Sequence, residues 1–358
     1  MKLAYMAHWD ASRESGVLKK IAQQMRAWLQ AGHSARLFLL SEGEALWSGL
    51  EGLDVTLLPR GTRLQRFPRA ARLAAQVRAW GPDLIYLRQD TYLPAFEGLA
   101  RQIPTVVEVN TRVLQERRLL SSKAAYLYHR LTALRISRAA CGLVCVTREI
   151  AADYAPMGKP VLVSANGIPL AAFPELPAPS SPFPRVVFIG SPGPLIHWQG
   201  VDKILWLAHE LPGWQFDLIG VSRGLTGPQS PPNLRMHGWL TQAEYFNLLS
   251  AADIALGTLS LYRKALNEAS PLKVREYLAC GIPTVIGYAD TDFPEPVPFL
   301  LQLPNTPDNV SANLEKITCF MEKWRGQRVP RAAVAHLDLA GKEKIKLEFF
   351  ASLLKGAP

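Results

Sequence analysis

The stretch Asn267-Glu268-Ala269-Ser270-Pro271-Leu272-Lys273-Val274-Arg275-Glu276-Tyr277-Leu278-Ala279-Cys280-Gly281-Ile282-Pro283-Thr284-Val285 is the most informative part of the 358-residue chain. Pro271 suits the first turn of a helix, where its missing N–H costs nothing, and Ser270 before it is a good N-cap. Gly281 then ends the helix and Pro283 leads into a strand. Glu268 therefore falls in the loop before the helix, and Glu276 inside it, with seven residues between them. A helix start presents free backbone N–H groups and a positive dipole end, which is where anions settle. The segment can hold a sugar, a diphosphate and a ribose in a row. Glu268 would meet sugar hydroxyls, the backbone of Ala269, Ser270, Pro271, Leu272 and Lys273 would meet phosphates, and Glu276 would take ribose hydroxyls.

Outward from this segment, short apolar runs alternate with helical periods. Val186–Ile189, Gln215–Gly220, Leu234–Met236, Ile254–Leu256, Thr284–Ile286 and Phe299–Leu301 read as strands, with helices near 200–211, 241–250, 271–280 and 308–326. The first half repeats the pattern. Its strands are Lys2–Met6, Ala35–Leu40, Asp54–Leu58, Leu84–Leu87, Thr105–Val109 and Gly142–Val146, and its later helices lie around 65–80, 92–102, 113–138 and 147–154. Val17, Ile21, Met25, Trp28 and Leu29 recur at helical steps before Gly32 stops the first helix. Between the halves, residues 174–184 carry five prolines in eleven positions, which neither a helix nor a central strand accepts. The fold class is therefore α/β, with parallel sheets covered on both faces. The expected organisation is a first domain over 1–174, a linker over 175–184, a second domain over 185–340, and a last helix within 341–358 that crosses back to the first domain. Ligands of such sheets bind outside the carboxyl ends of the strands.

Composition narrows the class. With 48% hydrophobic and 20% charged residues the chain is an ordinary globular one. Four cysteines are too few for a disulfide framework, and Cys141 and Cys145 read as buried strand thiols, since no partner doublet follows at zinc spacing. No apolar run approaches the length of a membrane span and no signal peptide is visible, so a reducing, cytoplasmic setting is expected, with membrane contact at most peripheral. The charge is unevenly spread: residues 1–175 hold 23 Lys+Arg against 14 Asp+Glu, and residues 176–358 hold 17 against 16. The first half thus suits an anionic surface or substrate.

The paired glutamates, followed by a small-residue helix end and Gly281-Ile282-Pro283-Thr284-Val285, resemble the signature of glycosyltransferase family 4. Further pieces stand in the family's order: Ser15-Gly16, Leu29-Gln30-Ala31-Gly32-His33, Pro82-Asp83-Leu84-Ile85-Tyr86, Asn166-Gly167-Ile168 with Phe173, Phe188-Ile189-Gly190-Ser191, Trp198-Gln199-Gly200-Val201-Asp202, Asn233-Leu234-Arg235-Met236-His237-Gly238 and Ala252-Asp253-Ile254. The resemblance implies a GT-B fold, two Rossmann-like domains whose parallel sheets face across a cleft. It also implies a retaining, metal-independent transferase with no cofactor beyond its co-substrate, a UDP- or GDP-linked sugar. Two departures bear on the diphosphate. The family usually places Arg after the glycine at 190 and Lys before the glycine at 200, whereas this chain has Ser191 and Gln199; Lys273, Arg223 or His197 is then the candidate basic partner. In the first domain, Asn110 stands where the family often has a histidine near the sugar.

The implied catalytic set is Glu268, Asn110 and His8. The implied donor set adds Gly16, Gly190, Ser191, Gln199, Arg223 and His237 to Ala269–Lys273 and Glu276. Asp290-Thr291-Asp292 is the nearest approach to an Asp-x-Asp metal motif and reads as a solvated loop, so no metal is expected. Arg112, Arg117, Arg118, Lys123 and Arg130 are interleaved with Leu114, Leu119, Leu127 and Leu131 in a basic amphipathic stretch. That pattern suits a glycan or lipid-linked acceptor at an anionic membrane. No nucleic-acid module is recognisable. A nucleotide-sugar 2-epimerase or a non-catalytic binding relative on the same fold are the alternatives, and a nicotinamide oxidoreductase is disfavoured by the lack of a Gly-x-Gly-x-x-Gly opening.

Overall fold

The computed structural model describes residues 1–190, 196–221 and 230–356, and the side chains of all of these except 119, 120, 196 and 197. The chain divides into two compact units: Met1–Ala165 with Leu339–Pro358, and Asn166–Asp338.

The first unit is built on a parallel sheet of seven strands: β1 (Lys2–His8), β2 (Ser34–Ser41), β3 (Val55–Pro59), β4 (Leu84–Arg88), β5 (Thr105–Val109), β6 (Gly142–Cys145) and β7 (Val161–Val163). Their order is β3-β2-β1-β4-β5-β6-β7, so the direction of winding reverses between β1 and β4. Strand periodicity sends alternate side chains to opposite faces. Leu3, Tyr5, Ala7, Leu37 and Leu39 join one core, while Ala4, Met6, Phe38 and Leu40 join the other. Two helices cover the first core: α1 (Gly16–Gln30) through Leu18, Ile21, Met25 and Trp28, and the last helix of the chain, Leu339–Lys355, through Leu347 and Phe350. The second core lies under α2 (Arg66–Trp80) and α3 (Pro94–Ala100). Ser15 caps α1 by accepting from the Leu18 N–H, and Gly81, at φ 66°, ends α2 in the left-handed region.

The basic stretch expected as one helix over 113–138 is three: α4 (Val113–Leu120), α5 (Lys123–Thr132) and α6 (Arg135–Ala139). Ser121-Ser122 makes the first break, because Ser122 caps α5 by accepting from the Ala125 N–H. α7 (Arg148–Tyr154) follows. Cys145 is buried on β6, and Cys141, just before that strand, is half-buried.

The second unit carries a six-stranded parallel sheet from β8 (Arg185–Ile189), β9 (Gln215–Ile219), β10 (Leu234–Gly238), β11 (Ile254–Leu256), β13 (Thr284–Ile286) and β15 (Leu300–Gln302), in the order β10-β9-β8-β11-β13-β15. The short strands β12 (Glu268–Ala269) and β14 (Ala289–Asp290) pair separately. Helices α8 (Val201–Glu210), α9 (Gln242–Ala251), α10 (Leu272–Ala279) and α11 (Leu314–Trp324) accompany the sheet, and α12 is the Leu339–Lys355 helix of the first unit. Residues 166–173, which the sequence groups with the first domain, make their contacts in the second unit. Ile168 bridges to Asp338, and Arg331 donates 2.7 Å to the Phe173 carbonyl. The proline-rich stretch also lies in this unit, with the Pro177 carbonyl accepting from Arg328 Nε at 3.0 Å.

Buried charge ties α12 into the first unit. Glu343 accepts from Trp28 Nε1 at 2.8 Å, Gln24 Nε2 at 3.1 Å and Lys346 Nζ at 2.6 Å. Beside it, Glu108 pairs with Lys20 at 2.6 Å and Arg88 at 3.2 Å. Burial would raise the Glu108 pKa, but the charges of Lys20, Arg88 and Lys346 hold it well below the usual carboxylate range. Removing one partner of such a network leaves an uncompensated buried ion. Glu343→Ala should therefore cost about 3–5 kcal/mol in urea unfolding; a loss under about 1 kcal/mol, the level of an exposed pair, would contradict this account.

Candidate active site

Residues 267–273 form a loop, a two-residue strand and a helix start. Pro271, not Ser270, is the N-cap of α10, and no side chain caps the helix. Ser270 is instead buried, where its hydroxyl accepts from the Asn166 N–H at 2.9 Å and from Arg275 Nη2 at 2.8 Å. The consequence is direct: the backbone N–H groups of Leu272 and Lys273 have no hydrogen-bond partner among the described residues. They are the first orphan donors of the helix.

Arg275 holds this loop from behind. It is fully buried and pairs through two N–H groups with Asp290, at 2.7 and 2.8 Å. Asp292 lies 2.8 Å from its Nη2, and the Asn166 carbonyl accepts from Nε at 3.2 Å. Burial alone would lower the Arg275 pKa; the charge of Asp290 overrides it and holds the guanidinium above its ordinary value. The Asp290-Thr291-Asp292 segment is therefore not a solvated loop. It supplies the counter-charge of a buried arginine, which its local polarity does not reveal.

On the other side of α10 the side chains turn toward the carboxyl end of β8. The Ile189 N–H donates to the Tyr277 hydroxyl at 2.6 Å, and Lys273 Nζ sits 4.4 Å from the centre of the Phe188 ring. Lys273 also donates to Gln199 Oε1 at 2.9 Å. Burial pushes its pKa down to about 7, with Glu276 opposing the shift. Glu276 is half-buried and accepts from the Tyr245 hydroxyl at 2.9 Å. Tyr245 lies in the first turn of α9, set by a Thr241–Glu244 capping box, and nothing in its local sequence marks it as a partner of Glu276. Glu268 is half-exposed on β12, paired in register with Ala289, and Ala269 opposes Asp290.

Gly190 follows β8 and has a packing reason to lack a side chain. A Cβ there would lie 3.0 Å from Val221 and 3.2 Å from the Ile219 carbonyl; at Gly220, φ 74°, it would lie 2.4 Å from the Gly190 carbonyl. His237, at the end of β10, is held by Asp217 at 2.8 Å, and Asp217 also pairs with Arg185. Ser191 and Arg223 lie outside the described residues, as does the side chain of His197.

Two first-unit candidates, His8 and Asn110, stand at the carboxyl ends of β1 and β5, on either side of β4. His8 ends β1, with Nδ1 2.9 Å from Asp90 Oδ2, off the line of a good hydrogen bond. Asp90 pairs with Arg117; burial would raise its pKa, but the contact with His8 and the charge of Arg117 hold it at about 2. Asn110 follows β5, its Oδ1 accepting from Lys20 Nζ at 2.7 Å and its Nδ2 buried without a partner. Gly16 is the exposed first residue of α1. Arg112 is engaged by Glu149 and Asp153 of α7, whereas Arg118, Lys123 and Arg130 are exposed. Leu127 and Leu131, on α5, are 53% and 70% exposed, so this helix carries an uncovered face of mixed basic and apolar character. Arg60, Arg63 and Arg66, which no motif in the sequence marks, share a cavity with His8, Asp90 and Arg117.

Family models match both halves: a "glycosyl transferase 4-like domain" over residues 15–167 and a "glycosyl transferase-like" region over 203–295. Among solved structures, the lipopolysaccharide outer core galactosyltransferase WaaB, in its apo form, is 12% identical, with a TM-score of 0.68 over 98% of this chain and 100% of its own. HepE from Anabaena, solved with UDP, is 16% identical, with a TM-score of 0.67 over 98% and 100%. The pneumococcal O-GlcNAc transferase GtfA, solved with UDP and GlcNAc, is 10% identical, with a TM-score of 0.68 over 99% of each chain. A comparison with curated protein sequences finds none that matches. Two parallel-sheet α/β units with these likenesses make the chain a glycosyltransferase of the GT-B fold. Within that class, its first half is a glycosyl transferase 4-like domain.

Because the folded chain releases the Lys273 proton near pH 7 and the unfolded chain keeps it to the ordinary lysine value, the unfolded state binds more protons between these limits. Stability then rises with pH across that window. Lys273→Met should remove this part of the rise when urea unfolding is compared at pH 7 and pH 9; parallel profiles for the two proteins would contradict the desolvation of this ammonium.

Proposed function

We propose that the protein moves a sugar from a UDP- or GDP-linked donor to a glycan or lipid-linked acceptor in cell-surface polysaccharide assembly, with retention and without a metal. The observation that carries this reading is the start of α10, which presents two N–H groups without a partner among the described residues, the Lys273 ammonium and the Glu276 carboxylate from one short helix. Orphan amides at a positive helix end favour the diphosphate. Lys273 adds the cation, at the position where Gln199 replaces the basic residue expected from the family resemblance. Glu276, oriented by Tyr245, would accept from the ribose hydroxyls, and Glu268 from those of the transferred sugar. HepE and GtfA, both solved with UDP, support a nucleotide-linked donor.

In this reading the protein acts mainly by electrostatics and positioning. As the sugar departs, negative charge grows on the leaving phosphate, where the fixed amides and Lys273 already point and need not reorganise. The leaving diphosphate itself would help take the acceptor proton. Asn110 Nδ2, buried and unpartnered, is a neutral donor for a sugar or acceptor hydroxyl, and His8 stands at the carboxyl end of β1 for the same task. The exposed Lys123, Leu127, Arg130 and Leu131 face supports docking on an anionic membrane where a lipid-linked acceptor resides. No helix among the described residues is long and apolar enough to cross a membrane.

A thermal-shift screen with UDP, GDP and their sugars identifies the donor nucleotide. Glu276→Ala should weaken nucleotide binding about ten- to hundredfold, the worth of hydrogen bonds to a charged group, while Glu268→Ala should lose turnover with nucleotide binding largely kept. Unchanged turnover in both variants refutes the assignment. Nucleoside diphosphate affinity should also fall as pH rises from about 7 to 9, by up to about tenfold per unit, since binding the anion favours protonated Lys273. Lys273→Arg should abolish that dependence, and a wild-type profile as flat as the variant's would remove Lys273 from the phosphate site.

A further inference from the structure

Four guanidinium groups converge on one cavity of about 500 Å³ in the first unit, a volume typical of small-molecule sites. Arg60, Arg63, Arg66 and Arg117 line it, and Asp90 is the sole carboxylate in the lining. Like charges brought together repel, and a surface selected for solubility alone would disperse them. Two of the four are compensated: Arg117 by Asp90, and Arg60 by Glu42, which lies outside the lining. Arg63 and Arg66 pair with no carboxylate among the described residues, and Arg66 Nε is buried without a hydrogen-bond partner.

The surrounding backbone adds to the imbalance. Arg66 is the first residue of α2, which has no acidic residue in its first turn, so the guanidinium sits at the positive end of the helix dipole. Ser122, Ala124 and Ala125 bring the start of α5, also a positive end, into the same lining. His129 is buried there, and its pKa is lowered first by that burial and then by Arg117 and Arg66, with Asp90 opposing. His8, the last residue of β1, and Asp90, just past β4, line the same cavity at the carboxyl ends of these strands, where the strand order reverses and sheets of this kind receive ligands.

We propose that this cavity binds a phosphoryl or diphosphoryl group carried by the acceptor. The proposal deepens the reading above, in which the first unit receives the acceptor, and it rests on that reading. Arginine forks match phosphate oxygens two at a time, and Arg63 and Arg66 are the donors left for them. The ionised Asp90 repels an anion, so the phosphate lies on the Arg63–Arg66 side, and the acceptor's hydroxyl groups face Asp90 and His8. The phosphate could belong to a soluble phosphorylated glycan or to a lipid headgroup, which share this chemistry.

Calorimetric titration of the full chain with inorganic pyrophosphate, in saturating UDP, tests the site with the proposed donor site filled. Wild type should bind pyrophosphate, Arg63→Gln/Arg66→Gln should bind it at least tenfold more weakly, and Arg63→Lys/Arg66→Lys should retain most of the affinity. UDP affinity and thermal unfolding should match wild type in both variants, which separates a lost site from a lost fold. If neither UDP nor GDP binds, the donor reading fails, while the difference between wild type and variant still reports on the cavity. A second arm compares phosphatidylglycerol with phosphatidylcholine vesicles. Binding to the former that pyrophosphate displaces and the glutamine variant loses assigns the phosphate to a headgroup; pyrophosphate binding with no such vesicle binding assigns it to a soluble ligand. Equal pyrophosphate affinity in wild type and the glutamine variant, or no wild-type binding in either arm, overturns the proposal.

Discussion

A guanidinium with no exposure to solvent holds the second unit's loop in place. Removing the Arg275 charge from water is expensive, and the structure offsets that cost with two carboxylates, a hydroxyl and a carbonyl drawn from three separate segments. Asp290 and Asp292 follow β13, Ser270 precedes α10, and Asn166 lies far upstream in the chain. One side chain thereby fixes the position of the helix start relative to the strand that carries Glu268. It also consumes the Ser270 hydroxyl, which would otherwise cap α10. The helix is left with amides that have no partner among the described residues because its natural cap is bound to the arginine behind it. Structural ion pairing and anion readiness are two consequences of one arrangement.

The first unit uses the same device for a different end. Glu108 and Glu343 are buried among Lys20, Arg88 and Lys346, and through them β5, α1, β4 and α12 share one polar centre beneath an otherwise aromatic core. Tyr5, Trp28 and Phe350 could pack in more than one register on apolar contact alone. The hydrogen bond from Trp28 Nε1 to Glu343 selects one. Lys20 extends this network outward to Asn110, so the residue proposed to meet substrate is oriented by the packing of α1.

How far these features can be read from the sequence depends on how local their causes are. The central strands are legible because both faces of a parallel sheet are buried, which turns each strand into a short, wholly apolar run. The helix over 272–279 is legible because Pro271 and Gly281 act on their own neighbours. Ser270 misleads because its partners, Asn166 and Arg275, are set by the fold. Asp290 and Asp292 mislead for the same reason: a polar triplet reads as surface until a buried arginine is found opposite it. β7 lies at the sheet's edge and its three residues are part-buried to exposed, so it lacks the two-faced burial that marks the central strands. Tyr245 and the Arg60–Arg66 group escape altogether, since neither is adjacent in sequence to what it meets.

Gln199 illustrates a departure from a motif that geometry accounts for. A lysine at 199, as the family resemblance leads one to expect, would bring a second ammonium close to Lys273, which already lies 2.9 Å from the Gln199 side chain. In a site desolvated enough to lower Lys273 to about 7, two such charges would drive at least one proton off, and nothing would be gained for binding a phosphate. One cation and one carbonyl resolve the conflict. The charge is delivered from α10, beside the free amides, and Gln199 accepts a hydrogen bond that fixes its direction. If the diphosphate binds at the start of α10 as proposed, its cation comes from Lys273 and not from position 199, so the loss of that motif residue does not by itself remove the positive charge.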